Sequence, residues 1–417
     1  MDQFEADINS RVSQAEEALR EQFQAYERMA RINQKKILKA MQHAKLSQGD
    51  FHWSTGYGYG DMGREKTEEI YREVFRGEDA LVRPNIVSGT HALTIVLKAL
   101  TNAGDTMVSV TGDPYDTLQR VIGIQGHEKG NLKSRGIHYR SLPLKEDGSM
   151  DLEGIPKAIE GADLILLQRS SGYTSRRAFT ISELEEAIKI IKEHSQAPVF
   201  IDNCYGEFTE EREPLEVGAD IIAGSLIKNP GGGLALSGGY ICGKRELVEA
   251  CSNELTAPGV GKECGLTFGQ TRNVLMGLFL APRTVEECLK GATLYAQVFD
   301  QLGYQVVPSP TDPRSDIVQV IALEDPKRLE AFCRSIQGAS PIDSYVTPMA
   351  WDMPGYSEPV IMAAGGFIDG SSIELSADGP MREPYNVYVQ GGLTYAHCVL
   401  ALESVLEDLE EQGLLQK

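Results

Sequence analysis

Lys228 stands in a sequence context that favours chemistry. It closes an apolar run that begins at Ala223, and a glycine-rich segment, 229–233 (NPGGG), follows it. A lysine partly removed from water at such a position has a depressed pKa and can form an imine with an aldehyde. Ser225, just before it, is placed to help hold a phosphate. A single lysine in a loop is more often a surface residue, so this interpretation depends on what accompanies it.

Asp202 ends a second apolar run, 198–202 (PVFID), and the polar segment NCYGEF follows it. A carboxylate at the end of a buried strand could keep a pyridine nitrogen protonated, so that the ring withdraws electrons from a substrate carbanion. The alternative is an aspartate that caps a helix or stabilises a turn.

The segment Ser88, Gly89 and Thr90 lies between the apolar residues NIV and a helical run, ALTIVLKAL. The N-terminus of a helix presents unpaired N–H groups, and glycine lets a phosphate come close to them. Both hydroxyl groups could add hydrogen bonds. A serine before a helix is also an ordinary N-cap, and that alternative stays open.

Helical stretches alternate with short apolar runs between about residues 65 and 250. The runs are DTMVSV, IHYRSLPL, DLILLQRS, APVFIDNCYGEF, ADIIAGSLIK and LALSGGYICG. This alternation predicts βαβ units and a largely parallel sheet covered on both faces. Ligands bind beyond the carboxyl ends of the strands in such sheets, so Asp202, Arg169 and Lys228 become candidates for chemistry.

The rest of the chain predicts two further parts. Residues 1–45 have helical periodicity and precede a Gly/Tyr-rich loop, so residues 1–64 form an N-terminal segment ahead of a large domain, 65–290. Residues 291–417 begin within a long helix and continue as a smaller α+β domain that ends in an amphipathic helix.

Composition and charge exclude several classes of protein. The 417 residues carry a formal net charge of -20, which argues against a nucleic-acid partner. No run of about 18 apolar residues predicts a membrane span, and the N-terminus lacks the regions of a signal peptide, so a cytoplasmic protein is expected. The seven cysteines are scattered without a CxxC pair, which predicts neither a metal site nor disulfides.

Taken in order, these segments resemble the fold-type I enzymes that depend on pyridoxal 5'-phosphate (PLP). Within them the chain is similar to the cystathionine/methionine lyase group, in the methionine gamma-lyase-like or aluminium-resistance branch. The segments that carry the resemblance are STGYGYGDMGRE, SGTHAL, GDPYDTL, FIDNCYGEF, SLIKNPGGGLA and ADGPMREPY. The resemblance implies an α/β fold of the aspartate-aminotransferase type, with a mainly parallel sheet in the large domain.

The resemblance also implies roles for individual residues. Lys228 would carry PLP as a Schiff base, Asp202 would face the ring nitrogen, and the phosphate would lie against Ser88, Gly89, Thr90 and Ser225. Tyr115 would stack on the ring, although a tyrosine after proline is also typical of a turn.

The resemblance implies roles for three further residues less specifically. Tyr57 and Arg64 would reach the phosphate of a neighbouring subunit, which makes a homodimer or homotetramer with shared active sites the expected assembly. Arg382 would bind the carboxylate of an amino-acid substrate.

The expected activity is elimination from a sulfur-containing amino acid, at the β or γ position. The segments TKY and GHSD that usually accompany the lysine in this group are replaced here by Ile227 and NPGGGLALSGG, so the bond that breaks stays open. An aminotransferase or aldolase would share every cofactor residue. The alternative outside the enzymes is a regulator or resistance factor that keeps the PLP fold without turnover.

Overall fold

The apolar runs of the first two thirds of the chain form one seven-stranded sheet. In the computed structural model, which describes residues 3–353, 356 and 358–416, its strands are β1 (Asp79–Arg83), β2 (Thr106–Ser109), β3 (His138–Ser141), β4 (Leu164–Gln168), β5 (Val199–Asp202), β6 (Ile221–Ser225) and β7 (Gly239–Gly243). Their order across the sheet is β1-β7-β6-β5-β4-β2-β3.

The sheet is parallel except for β7, which runs antiparallel to both of its neighbours. Every residue of β4, β5 and β6 is buried, because helices cover both faces of the sheet. The prediction of a largely parallel sheet is confirmed. Strand β1 had no counterpart among the predicted runs.

A second sheet follows in the C-terminal part of the chain, and all its strands are antiparallel. The strands are β8 (Gln305–Val307), β9 (Val318–Ala322), β10 (Val360–Ala363), β11 (Ser376–Pro380) and β12 (Asn386–Gln390), in the order β10-β11-β12-β9-β8. This sheet belongs to the part of the chain for which a smaller α+β unit was predicted.

The helices surround these two sheets. They are α1 (Gln3–Ala18), α2 (Arg20–His43), α3 (Met62–Val74), α4 (Gly89–Ala99), α5 (Asp116–Ile122), α6 (Ile155–Ala158), α7 (Ile181–His194), α8 (Arg245–Leu255), α9 (Thr271–Gln301), α10 (Pro326–Gly338) and α11 (Tyr395–Glu411). No helix among the described residues is long and apolar enough to cross a membrane.

The N-terminal periodicity belongs to two helices instead of one. The backbone departs from helical dihedral angles at Leu19, with φ -93° and ψ 2°, and this residue separates the two helices. Helix α1 packs its buried face into the core of the second sheet, while α2 packs into the core of the first. Helix α9 joins the two cores, because Leu289 lies in the first and Leu294 in the second. The predicted boundary between residues 290 and 291 therefore falls inside a continuous helix.

Candidate functional site

A cavity of about 340 Å³ lies at the carboxyl ends of β4, β5 and β6, where the second sheet closes over them. The large domain contributes to its wall Ser88, Gly89, Thr90, Tyr115, Asp202 and Lys228, among others. The second sheet contributes Val318, Met362, Ser376, Asp378, Tyr388 and Gln390. The structure thus brings the three predicted segments into one cavity.

Lys228 and Asp202 form the charged centre of this cavity. Asp202 is only 1% exposed, and its Oδ1 accepts a hydrogen bond from the backbone N–H of Cys204 at 3.1 Å. Burial raises the pKa of Asp202, and the charge of Lys228 lowers it. The two side chains therefore interact electrostatically in a place that water does not screen.

The predicted depression of the Lys228 pKa is wrong for the free amine. Burial does lower the pKa of Lys228, but Cys204, Tyr205, Tyr115 and Asp202 around it raise the pKa more, so the net direction is upward. The sequence argument considered desolvation and left out the acidic neighbours.

Tyr205 is a site residue that the sequence argument missed. The Nζ of Lys228 lies 3.8 Å from the centre of its ring, a cation–π contact. The backbone of Tyr205 has a φ of +70°, which is uncommon for a residue other than glycine. The amide of Asn229 holds this turn, because its Nδ2 donates to the carbonyl oxygens of Tyr205 and Glu207, both at 2.9 Å.

The N-terminus of α4 opens into the cavity. Ser88 is its N-cap, and the Oγ of Ser88 accepts from the backbone N–H of His91 at 3.1 Å. A Cβ at Gly89 would lie 3.2 Å from the Sγ of Cys204 and 3.3 Å from the Cβ of Ser225, so glycine allows a tight approach there. The cap and the phosphate site are compatible interpretations, because the cap occupies the N–H of His91 and leaves those of Gly89 and Thr90 available.

Tyr115 is tied to the same helix start. Its hydroxyl group forms a hydrogen bond with the Oγ1 of Thr90 at 2.9 Å, and its backbone N–H donates to the Oε1 of Gln168 at 2.9 Å. Burial raises the pKa of the Tyr115 hydroxyl, so it stays protonated at neutral pH. Tyr115 is thus both the residue before α5 and part of the cavity wall.

Two predicted arginines do not line the cavity. Arg169 is fully buried and takes a structural role, since it donates to Ser315 and Asn203, each at 2.9 Å. Arg169 is therefore not one of the residues that could take part in chemistry in this cavity. Arg382 forms an ion pair with Glu358 at 3.1 Å and is partly exposed, so it must leave that pair to reach a substrate carboxylate. Carboxylate binding by Arg382 stays a prediction.

Arg64 is committed to its own chain. Its Nη1 donates to the carbonyl oxygens of Gly56 at 2.6 Å and Gly58 at 3.0 Å, and its Nη2 donates to that of Glu263 at 3.1 Å. Only 1% of its side chain is exposed. It therefore shapes the Gly/Tyr loop, whereas Tyr57 in that loop is 70% exposed and can reach another molecule.

The sequence argument also missed the wall that the second sheet contributes. Asp378 is 3% exposed, and its Oδ2 accepts from the Nε2 of Gln390 at 3.0 Å. The rings of Tyr173, Tyr356 and Tyr388 cluster beside it. Asp378 belongs to the segment ADGPMREPY, and the alternation of Ser376 and Asp378 with small residues was the available signal.

No group of three or more His, Cys, Asp or Glu side chains within the described ranges could hold a metal ion.

Comparison with known proteins gives consistent matches. A model of the family described as methionine gamma-lyase matches residues 8–410. The chain is 47% identical over 392 residues to the uncharacterized protein YnbB of Bacillus subtilis (strain 168), with 93% of each chain covered. It is similar to a carbon-sulfur lyase involved in aluminum resistance from Clostridium novyi NT, with a TM-score of 0.93, 45% identity and coverage of 97% of this chain and 96% of that one. A cystathionine gamma synthase from Xanthomonas oryzae pv. oryzae shares the fold, with a TM-score of 0.64, 16% identity and coverage of 91% and 98% of the two chains.

Proposed function

Because the chain belongs to the methionine gamma-lyase family, we propose that it is a PLP-dependent carbon–sulfur lyase that acts on a sulfur-containing amino acid, of the cystathionine or methionine type, by β- or γ-elimination. Its architecture is that of the fold-type I PLP enzymes, as the sequence predicted. The observation that carries the proposal is the placement of Lys228 and Asp202 in one buried cavity beside the N-terminus of α4.

The residues of the cavity fit PLP in three respects. The first turn of α4 and the hydroxyl groups of Thr90 and Ser225 suit its phosphate, and the amine of Lys228 suits its aldehyde. The carboxylate of Asp202 lines the same cavity as Lys228. That buried carboxylate accepts a hydrogen bond from the N–H of Cys204 and forms no ion pair at contact distance with another described residue, so it suits a protonated ring nitrogen. PLP withdraws electrons from the α carbon of an amino acid and so stabilises negative charge there.

Lys228 is the base that this cavity supplies. Among the described residues of the cavity wall it is the one Lys or Arg side chain. With PLP and substrate bound, the Nζ of Lys228 would be the nitrogen available to take the α proton. Tyr205 lies against that nitrogen and limits where it can move. Tyr115 is held by Thr90 and closes the cavity on the side of α4.

The test is to follow three products from cystathionine and from methionine. Both reactions consume water: β-elimination from cystathionine gives homocysteine, pyruvate and ammonia, and γ-elimination from methionine gives methanethiol, 2-oxobutanoate and ammonia. Lys228→Ala should abolish release of all three. Lys192→Ala removes a lysine that pairs with Asp220 outside the cavity and is the matched control.

An aminotransferase would give a 2-oxo acid without free ammonia or thiol, and that result would contradict the proposal. Absence of any product from either substrate, with PLP bound, would contradict it as well.

We also propose that the chain assembles as a homodimer or homotetramer with shared active sites. Large apolar side chains are exposed along the Gly/Tyr loop and the start of α9, among them Trp53, Tyr57, Tyr59, Phe268 and Met276. The backbone N–H of Thr267 donates to the carbonyl oxygen of Thr55 at 2.8 Å, which joins the two segments into one surface. An exposed apolar patch of this kind is typical of an interface.

A further inference from the structure

Three buried polar atoms in one wall of the cavity have no hydrogen-bond partner. They are the Oδ1 of Asp378, the Oγ of Ser376 and the Oγ of Ser372, and all three residues line the cavity. Each is less than 9% exposed. Buried polar atoms without a partner are costly, so a wall with three of them indicates a polar ligand group that is to be bound there.

Two of these residues lie on the same strand, and the third lines the same cavity. Ser376 and Asp378 are alternate residues of β11 and therefore lie on one face of the strand. Gln390 on the neighbouring strand β12 lines the same cavity and donates to the other carboxylate oxygen, Oδ2, which fixes the carboxyl group. The carboxyl group of Asp378 is thus held on one side and open on the other.

The surroundings of Asp378 favour a cation over an anion. The ring of Tyr173 lies 4.7 Å from that of Tyr388 and 5.4 Å from that of Tyr356, and all three tyrosines line the cavity. A buried carboxylate next to aromatic rings is the chemistry that recognises an ammonium group. Burial raises the pKa of Asp378 to about 7, and the nearby Tyr173 hydroxyl has the opposite, smaller effect on that pKa. The Tyr173 hydroxyl does not make a hydrogen bond of normal geometry to Oδ1.

We propose that Asp378, with Ser376 and Ser372, forms a subsite for a positively charged group at the far end of the substrate, so that amino acids with a distal ammonium group are preferred. The ammonium group has three N–H donors, and the wall has three acceptors for them. This inference rests on the proposed lyase activity, and it selects substrates with two amino groups, such as cystathionine, over methionine.

The charge preference can be measured with three substrates of similar size. S-(2-aminoethyl)-L-cysteine, S-propyl-L-cysteine and S-carboxymethyl-L-cysteine carry a positive, a neutral and a negative distal group. Each gives a thiol, pyruvate and ammonia on β-elimination, so one assay serves all three. We expect kcat/KM for the aminoethyl compound to exceed that for the propyl compound about ten- to a hundredfold, the size of one charge-assisted hydrogen bond.

Binding without elimination gives an independent measurement. L-Lysine and L-2-aminoheptanoate match the aminoethyl and propyl substrates in length but have no sulfur leaving group. Calorimetric titration of the PLP-loaded protein should show tighter binding of lysine by a similar factor.

The variants test whether Asp378 is the source of the preference. Asp378→Asn should bring the ratio between the aminoethyl and propyl substrates close to one. The double variant Asp378→Asn/Gln390→Glu exchanges the carboxylate and the amide between these two hydrogen-bonded positions. It should restore the preference for the aminoethyl substrate. A variant that was merely misfolded could not regain that preference. Asp116→Asn is the matched control, because Asp116 lines the same cavity but lies near the charge of Arg382.

The outcomes separate the two proposals. Pyruvate from all three substrates without a charge preference, or a preference that survives Asp378→Asn or disappears in Asp116→Asn, overturns the cationic subsite and leaves the lyase activity standing. No pyruvate from any substrate, with lysine still bound more tightly in an Asp378-dependent way, overturns the lyase activity and supports the subsite. Equal binding of both probes without pyruvate overturns both.

Discussion

At the scale of single residues, acidic side chains determine how this cavity behaves. Lys228 could be identified from its place at the end of an apolar run, but its protonation depends on Asp202 and on the hydroxyl and thiol groups around it. Those neighbours come from segments far apart in the chain. The position of Lys228 in the cavity can thus be predicted from local sequence more readily than its pKa.

Glu207 gives a prediction about pH and stability. Burial raises its pKa to about 8, above the usual value of 4.5. Its Oε1 accepts from the hydroxyl of Tyr240 at 2.8 Å, and its Oε2 has no partner. Between these two pH values the folded chain keeps a proton that the unfolded chain has released. The free energy of unfolding should therefore fall as pH rises from about 4.5 to about 8.

Glu207→Gln isolates this effect, because an amide stays neutral at every pH in that window. Urea unfolding at the acidic and basic ends should show that the natural protein loses more stability than the variant, by an amount on the order of a few kcal/mol. All other titrating groups are common to both proteins. Parallel pH profiles for the two would refute the assignment to Glu207.

At the scale of elements, the glycine run after Lys228 is explained by close packing against α9. A Cβ at Gly277 in α9 would lie 2.1 Å from the carbonyl oxygen of Gly231, and one at Gly231 would lie 1.6 Å from that of Leu226. The backbone that follows Lys228 thus rests directly on a helix. Glycine is required at these positions by contact between backbones.

Gly277→Ala should consequently destabilise the protein although alanine favours helices. The added methyl group meets backbone that has no side-chain freedom to move away, and such overpacking costs about 1–3 kcal/mol. Displacement of the segment after Lys228 should also weaken retention of PLP. Thermal unfolding and PLP content of the purified protein measure the two effects.

Gly338→Ala, at the end of α10, is the matched control because nothing lies within 4 Å of its added Cβ. It should leave both quantities unchanged or raise stability slightly. Equal behaviour of the two variants would show that the contact between Gly277 and Gly231 does not hold the segment.

Elements with a strong local signal were the ones that could be predicted. The strands β4, β5 and β6 follow from continuous apolar runs, because both faces of each strand are covered. Strand β1 begins and ends with charged residues, DALVR, so it lacks that signal. Asp378 was missed for a related reason, because the sequence of β11, SADGP, is not apolar. The role proposed for Asp378 depends on the tyrosines and on Gln390, which the fold brings beside it.

At the scale of the whole molecule, the cavity depends on two cores that α9 joins. The first sheet supplies the residues that suit the cofactor, and the second supplies the wall with Asp378. Any shift of one core against the other changes the distance between the two sets of residues. Association of two chains through the Gly/Tyr loop would add a third contribution to the same site.

The shared site can be tested by mixing two chains that are each defective at limiting PLP. We expect Tyr57→Ala to lower PLP affinity about tenfold, as the loss of one charge-assisted hydrogen bond does, and so to be poorly active at limiting PLP. Lys228→Ala chains keep Tyr57, so a hybrid dimer regains one site with both residues. Random pairing of equal amounts should restore about a quarter of the natural activity, since half of the dimers are hybrids with one complete site each.

A second mixture provides the control, because residues of one chain's own site cannot complement each other across a dimer. Lys228→Ala mixed with Asp202→Asn leaves every site with one damaged residue, since both residues lie in the same cavity of the same chain. That mixture should recover nothing. Native mass spectrometry verifies subunit exchange in both mixtures. If hybrids form and neither mixture gains activity, each chain builds its site alone, and Tyr57 serves the surface of its own loop.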